Sequence, residues 1–264
     1  MAIQVRYLPE KTIERDAEAL LARYAHECSI TLRAPIPIEE IVEKHLKLRI
    51  DFDDLHRVLD LPRTGPEPEV LGALWVDQME IFIDQSLDPV VHPRMEGRYR
   101  FTLAHEGAHW GLHRNYLARN AIQMAPFDER SKPSVICRSS QAKEPIEWQA
   151  DFYASCVLMP KAMVLDAWRE QFSDANPQFL LSENCITLLS DDKITDGNRV
   201  FKRHESHAPR ELIGPFAEKF TVSMDAMRIR LERLGLLHRE IPRQGSLPVG
   251  LRSSNDMMAL VHNE

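Results

Sequence analysis

Five consecutive residues, His105-Glu106-Gly107-Ala108-His109, set two imidazoles four positions apart with a carboxylate beside the first. On a helix, residues i and i+4 point the same way, so both rings can bring a nitrogen to one Zn2+. Glu106 is then placed to hold an attacking water and take its proton, the work of a general base in peptide hydrolysis. A catalytic zinc needs a third protein ligand and an open fourth position. An HExxHxxGxxH arrangement would require glycine at 112 and histidine at 115. Those positions hold Leu112 and Asn115, which excludes that class. His113 continues the i+4 rhythm, yet on a continuous helix its Cα lies about 12 Å from that of His105, too far for one ligand sphere. It reads either as a residue standing behind the ligands or as a plain surface histidine.

A second constellation follows in Glu147-Trp148-Gln149-Ala150-Asp151, where two acids at i and i+4 face the same way. They are embedded in the apolar run IEWQADFYASCVLMP, and charges in apolar helices need partners. One carboxylate can bind the metal while the other accepts a hydrogen bond from a ligand histidine and fixes its tautomer. Glu144 is a weaker alternative, because it precedes Pro145 and falls outside the helix. For the donor that stabilises developing charge on the substrate carbonyl, Tyr99, Arg100, His113 and Tyr153 all stand within reach of these helices.

The cysteines Cys28, Cys137, Cys156 and Cys185 are scattered, with no CxxC pair, and read as reduced cytosolic thiols. Cys137 sits on the polar stretch between the two motif helices. It is a candidate inhibitory fourth ligand, a thiolate that would displace the catalytic water. Cys156 lies nine positions beyond Glu147, about 13 Å along the helix, and reads as core.

These residues need elements to hold them. Ile13, Ala17, Leu20, Leu21 and Tyr24 have helical spacing over residues 12–26. A proline-marked turn at 35–37 opens a short helix over 39–45, and the alternation over 46–52 is that of a strand. A loop over 63–69 precedes two strands, 70–76 and 80–84, joined at Asp77-Gln78. Residues 95–113 and 145–159 are the motif helices, separated by a polar, irregular stretch to Glu144. The region 173–207 is polar and without a clear pattern, and two more helices fall over 209–219 and 223–234.

The chain has 264 residues, 44% hydrophobic and 28% charged, enough for a substantial core. A net charge of −7 argues against wholesale wrapping of nucleic acid. The start has no signal-peptide pattern, and no apolar run approaches the ~20 residues of a membrane helix, so a cytoplasmic protein without membrane contact is expected.

The runs RYRFTLAHEGAHWGLHR and EWQADFYASCVLMP together resemble the ImmA/IrrE family of zinc metallopeptidases. The resemblance extends to PIPIEEIVEKHLKLRI, VLGALWVDQMEIFID and FAEKFTVSMDAMRIRLERLGLL, and so covers most of the chain from about residue 12 to residue 237. One departure is Gly107-Ala108, where many relatives carry a larger aliphatic residue and then glycine; neither position carries chemistry. The resemblance implies a thermolysin-like site with His105, His109 and Glu147 as zinc ligands and Glu106 as general base, which leaves Asp151 as the acid behind a ligand histidine. It implies an α+β, zincin-like fold: a small twisted sheet packed on the HExxH helix, the Glu147 helix completing the site, and helix-turn-helix-like helices at the end. The expected division is a peptidase domain over 1–207, a docked helical element over 208–240 and a disordered tail over 241–264. It also implies a protein substrate, a helix-turn-helix repressor encoded nearby, whose cleavage derepresses a stress-response, mobile-element or phage-defence operon.

Arg228, Arg230, Arg233, Arg239 and Arg243 make the C-terminal helices locally basic in an acidic protein. The pair can dock on the core through Phe220, Val222, Met227, Leu231 and Leu234, or present a face to DNA phosphates. Single-stranded DNA is accordingly a candidate activator. The rival to the enzyme reading is a DNA-binding transcription regulator with a structural zinc site. Glu106 speaks for the enzyme, because a structural site needs no general base.

Overall fold

The computed structural model describes residues 5–61, 69–118, 133–138, 144–172, 178–180, 200–201 and 208–238. Helix α1 (Glu10–Cys28) buries Ile13, Ala17, Leu20, Leu21 and Tyr24, the set its periodicity picks out. Helix α2 (Ile38–Glu40) runs into a wide π-type turn, Ile41–His45. Lys47 then takes a left-handed φ of 61°, so strand β1 starts only at Arg49 and runs to Asp53. The expected alternation from Leu46 therefore applies to its second half alone. After the short helix α3 (Leu55–Val58) come β2 (Val70–Trp75) and β3 (Glu80–Asp84). Every residue of β2 is buried, which suits an inner strand covered on both faces.

The sheet has the order β1-β3-β2-β4, with β1 and β3 parallel and the other pairs antiparallel. Its edge strand β4 (Val135–Arg138) lies in the stretch that reads as irregular. Helix α4 (Glu96–Ala108) continues through a second π-type turn, His109–His113. Helix α5 (Pro145–Leu158) has proline in its first turn and stops just before Pro160. Helix α6 (Lys161–Phe172), which the sequence reading left unassigned, is joined to α7 (Ala208–Phe220) by Trp168, Phe172 and Phe216, with ring centroids 4.5–6.2 Å apart. The last helix is α8 (Met224–Arg233). This is the α+β architecture that the resemblance implies.

The chain divides into two compact units. The first joins Met1–Ala175 with Leu212–Arg230; the second comprises Asn176–Glu211 and Leu231–Glu264. In the second, β5 (Gln178–Leu180) pairs in parallel with both β6 (Val200–Phe201) and β7 (Leu237–His238). The residues that carry the chemistry all belong to the first unit. All but the last residue of the expected loop over 63–69, most of 173–207 and the expected tail lie outside the described residues, as do Arg239 and Arg243.

Within the first unit the α7–α8 pair is docked. Phe220, Val222 and Met227 are buried, and a Cβ added at Gly97, in the first turn of α4, would come within 3.1 Å of the Val222 carbonyl carbon. Arg230 belongs to no basic surface. It is 1% exposed, and its guanidinium donates to the Met159 carbonyl at 3.0 Å and to Glu14 Oε1 at 2.7 Å, with Cys156 Sγ at 3.4 Å. A buried cation held this way welds α8 to α1 and α5, and removing it leaves Glu14 and a carbonyl without their donor. Arg230→Ala should therefore lower unfolding stability by about 3 kcal/mol or more. Arg169→Ala, at an exposed pair with Asp166, should change it by less than about 0.5 kcal/mol. Urea titrations of the two variants check this; equal losses would remove Arg230 from the structural role.

Candidate metal centre and active site

Helix α4 brings His105 and His109 to the same side, and α5 brings Glu147 against them. The His105 and His109 Nε2 atoms are 2.9 Å apart, while Glu147 Oε2 lies 3.1 Å from the first and Oε1 3.5 Å from the second. Tetrahedral ligands on bonds of about 2.0–2.1 Å stand roughly 3.3 Å from one another. The three donors thus sit at the separations one Zn2+ imposes. The chemistry agrees: two lone-pair nitrogens facing each other repel unless a proton or a cation lies between them. All three side chains are buried.

The donors are oriented from behind. His105 Nδ1 lies 2.8 Å from Asp151 Oδ1. A carboxylate there accepts a hydrogen bond from Nδ1–H and leaves Nε2 bare toward the centre. The acid pair at i and i+4 is thereby divided between a metal-facing Glu147 and a histidine-orienting Asp151. His113 stands outside the triad of donors, with its Nδ1 3.1 Å from His109 Nδ1. The π-type turn keeps the two rings in contact, at 5.2 Å between centroids. Gln149, a residue the sequence reading passed over, accepts at its Oε1 from His113 Nε2 at 3.1 Å. Only its i+2 spacing from Glu147 could have drawn attention to it.

Glu106 is fully buried, and neither of its carboxylate oxygens has a hydrogen-bond partner. Such an atom pair is costly unless water or a cation meets it. Behind it, β2 passes so close that a Cβ on Gly72 would stand 2.8 Å from both Glu106 Oε1 and Thr102 Cγ2. Only glycine gives the carboxylate this room. Cys137, paired with Gly72 across β2 and β4, groups with His105 and Glu106 within 4.8 Å. The two triads of donors share His105, and His109 and Glu147 belong to the one that lacks Cys137.

Electrostatics follow the same geometry. Burial pushes the Glu106 carboxyl up to about 8, and the charge on Glu147 adds to the rise. Burial alone would raise Glu147 too, but hydrogen bonds from His105 and His109 outweigh it and bring its pKa down to about 2. Burial and the neighbouring His109 lower His113 to about 4, and burial raises the Cys137 thiol.

Of the four candidate carbonyl-stabilising donors, Arg100 is committed elsewhere, to the Ile36 carbonyl and Glu39. Tyr99 packs on Phe52 at 5.5 Å, while Tyr153 has its hydroxyl 3.7 Å from where a Cβ on Gly111 would be. His113 touches His109 of the donor triad through Nδ1 and Gln149 through Nε2.

Residues 77–232 match the model of the M78 peptidase family, described as the IrrE N-terminal-like domain. The chain belongs to the M78 peptidases. The match spans both motif helices, so the M78 assignment and the donor geometry concern the same residues. No curated protein matches this M78 peptidase. Among solved structures it is similar to a Mycobacterium tuberculosis transcriptional regulator, at 16% identity and a TM-score of 0.42. That likeness covers 92% of this chain and 51% of the other, so the M78 chain spans about half of that protein's length. Among the described residues, no helix is long and apolar enough to cross a membrane.

The Glu106 shift has a measurable consequence for the metal-free protein. Between the usual 4.5 and about 8 the native state holds a proton that the unfolded chain has lost. The Glu106 contribution to stability must therefore fall as pH rises through that window, by about 1.4 kcal/mol per unit. Glu106→Gln carries no such proton. Its stability relative to wild type should rise with that slope from about pH 5 to pH 8, as urea unfolding in chelator-treated samples would show. A flat difference would contradict the buried, raised carboxyl.

Proposed function

We propose that this M78 peptidase is a zinc-dependent endopeptidase with Glu106 as general base and His105, His109 and Glu147 as the metal ligands. The observation that carries the reading is a fully buried, unpartnered Glu106 carboxylate beside three convergent donors. A bound Zn2+ would supply Lewis acidity and lower the pKa of a water toward 7. The chain's own residues do the rest. Asp151 keeps the His105 Nε2 lone pair turned inward. Glu106 receives the proton of the attacking water and can return it to the leaving amine, and Gly72 leaves the space in which that carboxylate turns. Among the expected four, His113 has both ring nitrogens committed, to His109 and to Gln149, and so has no hydrogen free for the substrate carbonyl.

Strand β4 ends the sheet order, and its outer edge has no partner strand among the described residues. An extended polypeptide can add to such an edge by main-chain hydrogen bonds, and Cys137 on this strand stands next to His105 and Glu106. That supports a protein substrate over a small molecule. We read the fourth metal position as open to water, with Cys137, grouped with His105 and Glu106 within 4.8 Å, as the thiol that would close it. The substrate we propose is a helix-turn-helix repressor, cut to derepress a stress-response, mobile-element or phage-defence operon; this rests on the ImmA/IrrE-like motifs. A structural zinc in a DNA-binding regulator is less well supported, since it would give Glu106 no task.

Mass spectrometry of new protein N-termini tests the proposal, in cells carrying wild type or Glu106→Gln, with and without DNA damage. The expected result is a cut within one DNA-binding protein that appears with wild type only. Identical N-termini under every condition, with zinc bound in both proteins, would overturn it in favour of the structural site.

A further inference from the structure

A chain of hydrogen bonds leads from the metal centre to the segment ahead of α1. His109 Nδ1 lies 3.1 Å from His113 Nδ1, His113 Nε2 lies 3.1 Å from Gln149 Oε1, and Gln149 Nε2 donates to the Arg6 carbonyl at 3.0 Å. Three of its members, His109, His113 and Gln149, are buried. The Arg6 carbonyl is the fixed end, because a carbonyl oxygen can only accept. It therefore faces the amide nitrogen of Gln149, and the amide oxygen faces His113. That oxygen also only accepts, so His113 carries its hydrogen on Nε2. A neutral His113 then has a bare Nδ1, which accepts from His109 Nδ1–H. With its hydrogen on Nδ1, His109 presents the Nε2 lone pair to His105 and Glu147.

We infer that His113 and Gln149 are positioning residues that fix His109 in its metal-binding tautomer, with the backbone of Arg6 setting the direction of the whole chain. The inference rests on the zinc reading of the site and adds a role for residues outside the donor set. The segment is itself held against α5: the Tyr7 ring stacks on Trp148 at 6.3 Å with 10° between the planes. Asp151 does for His105 in one step what this relay does for His109 in three.

The test is Zn2+ affinity of the full-length protein, measured by competition with a chromophoric chelator. Gln149→Leu removes both links of the amide, and His113→Phe removes the acceptor for His109. Each should weaken Zn2+ binding roughly 10- to 100-fold. Gln149→Glu keeps an acceptor for His113 Nε2–H and should stay within about threefold of wild type, although it loses the donor to Arg6. A merely structural role for Gln149 would make the two Gln149 variants alike in affinity. Long-range proton–nitrogen spectra of histidine-labelled, zinc-loaded wild type give a reading that needs no variant to fold, and should show His113 as the Nε2–H tautomer. Unchanged zinc affinity in folded Gln149→Leu and His113→Phe, or an Nδ1–H tautomer at His113, would overturn the relay alone. Wild type that takes up no zinc would overturn both the relay and the metal reading beneath it.

Discussion

Two imidazole nitrogens and a carboxylate held face to face in an apolar interior form an arrangement that a protein cannot leave uncompensated. The Nε2 atoms of His105 and His109 stand 2.9 Å apart, a separation that needs a proton or a cation between them, and the carboxylate oxygens of Glu106 beside them have no hydrogen-bond partner. A divalent cation at the shared point turns each of these costs into an attraction. Burial disfavours the charged form of Glu106 and raises its pKa to about 8 in the metal-free site, a cost that a neighbouring cation would offset. The destabilising cluster and the candidate active site are one feature.

Much of the remaining structure holds that cluster in place. The side chains come from two helices, and each helix is pinned at several points. Helix α4 is backed by β2 at Gly72, where a methyl group would collide, and meets the α7–α8 turn at Gly97, where it would fit only tightly. Helix α5 is tied to α1 and α8 through Arg230, whose donors reach Glu14 and the Met159 carbonyl. The C-terminal helices, which in sequence have the outline of a DNA-binding pair, thus brace the two motif helices over the residues that share their unit.

The parts legible in the sequence are those with a local period. The buried stripe of α1 follows from spacing alone, and so does the shared direction of His105 and His109. The acid pair Glu147 and Asp151 shows itself by its setting, two charges in an otherwise apolar helix. Features made by long-range pairing were not legible. Strand β4 is four residues in a polar stretch, and only its pairing with β2 makes it a strand. Gln149 belongs to no motif, since an amide becomes important only when a backbone carbonyl and a histidine stand on either side of it. Arg230 lies within a basic run, and no composition argument distinguishes a buried, paired arginine from its exposed neighbours.

The most direct test of the central claim is the zinc X-ray absorption edge of full-length wild type loaded with one equivalent of metal. The expected first shell is nitrogen and oxygen at about 2.0–2.1 Å, with the multiple scattering of two imidazoles and no sulfur. A sulfur neighbour at about 2.3 Å would place Cys137 on the ion and close the fourth position, and failure to take up zinc would contradict the reading of the whole site.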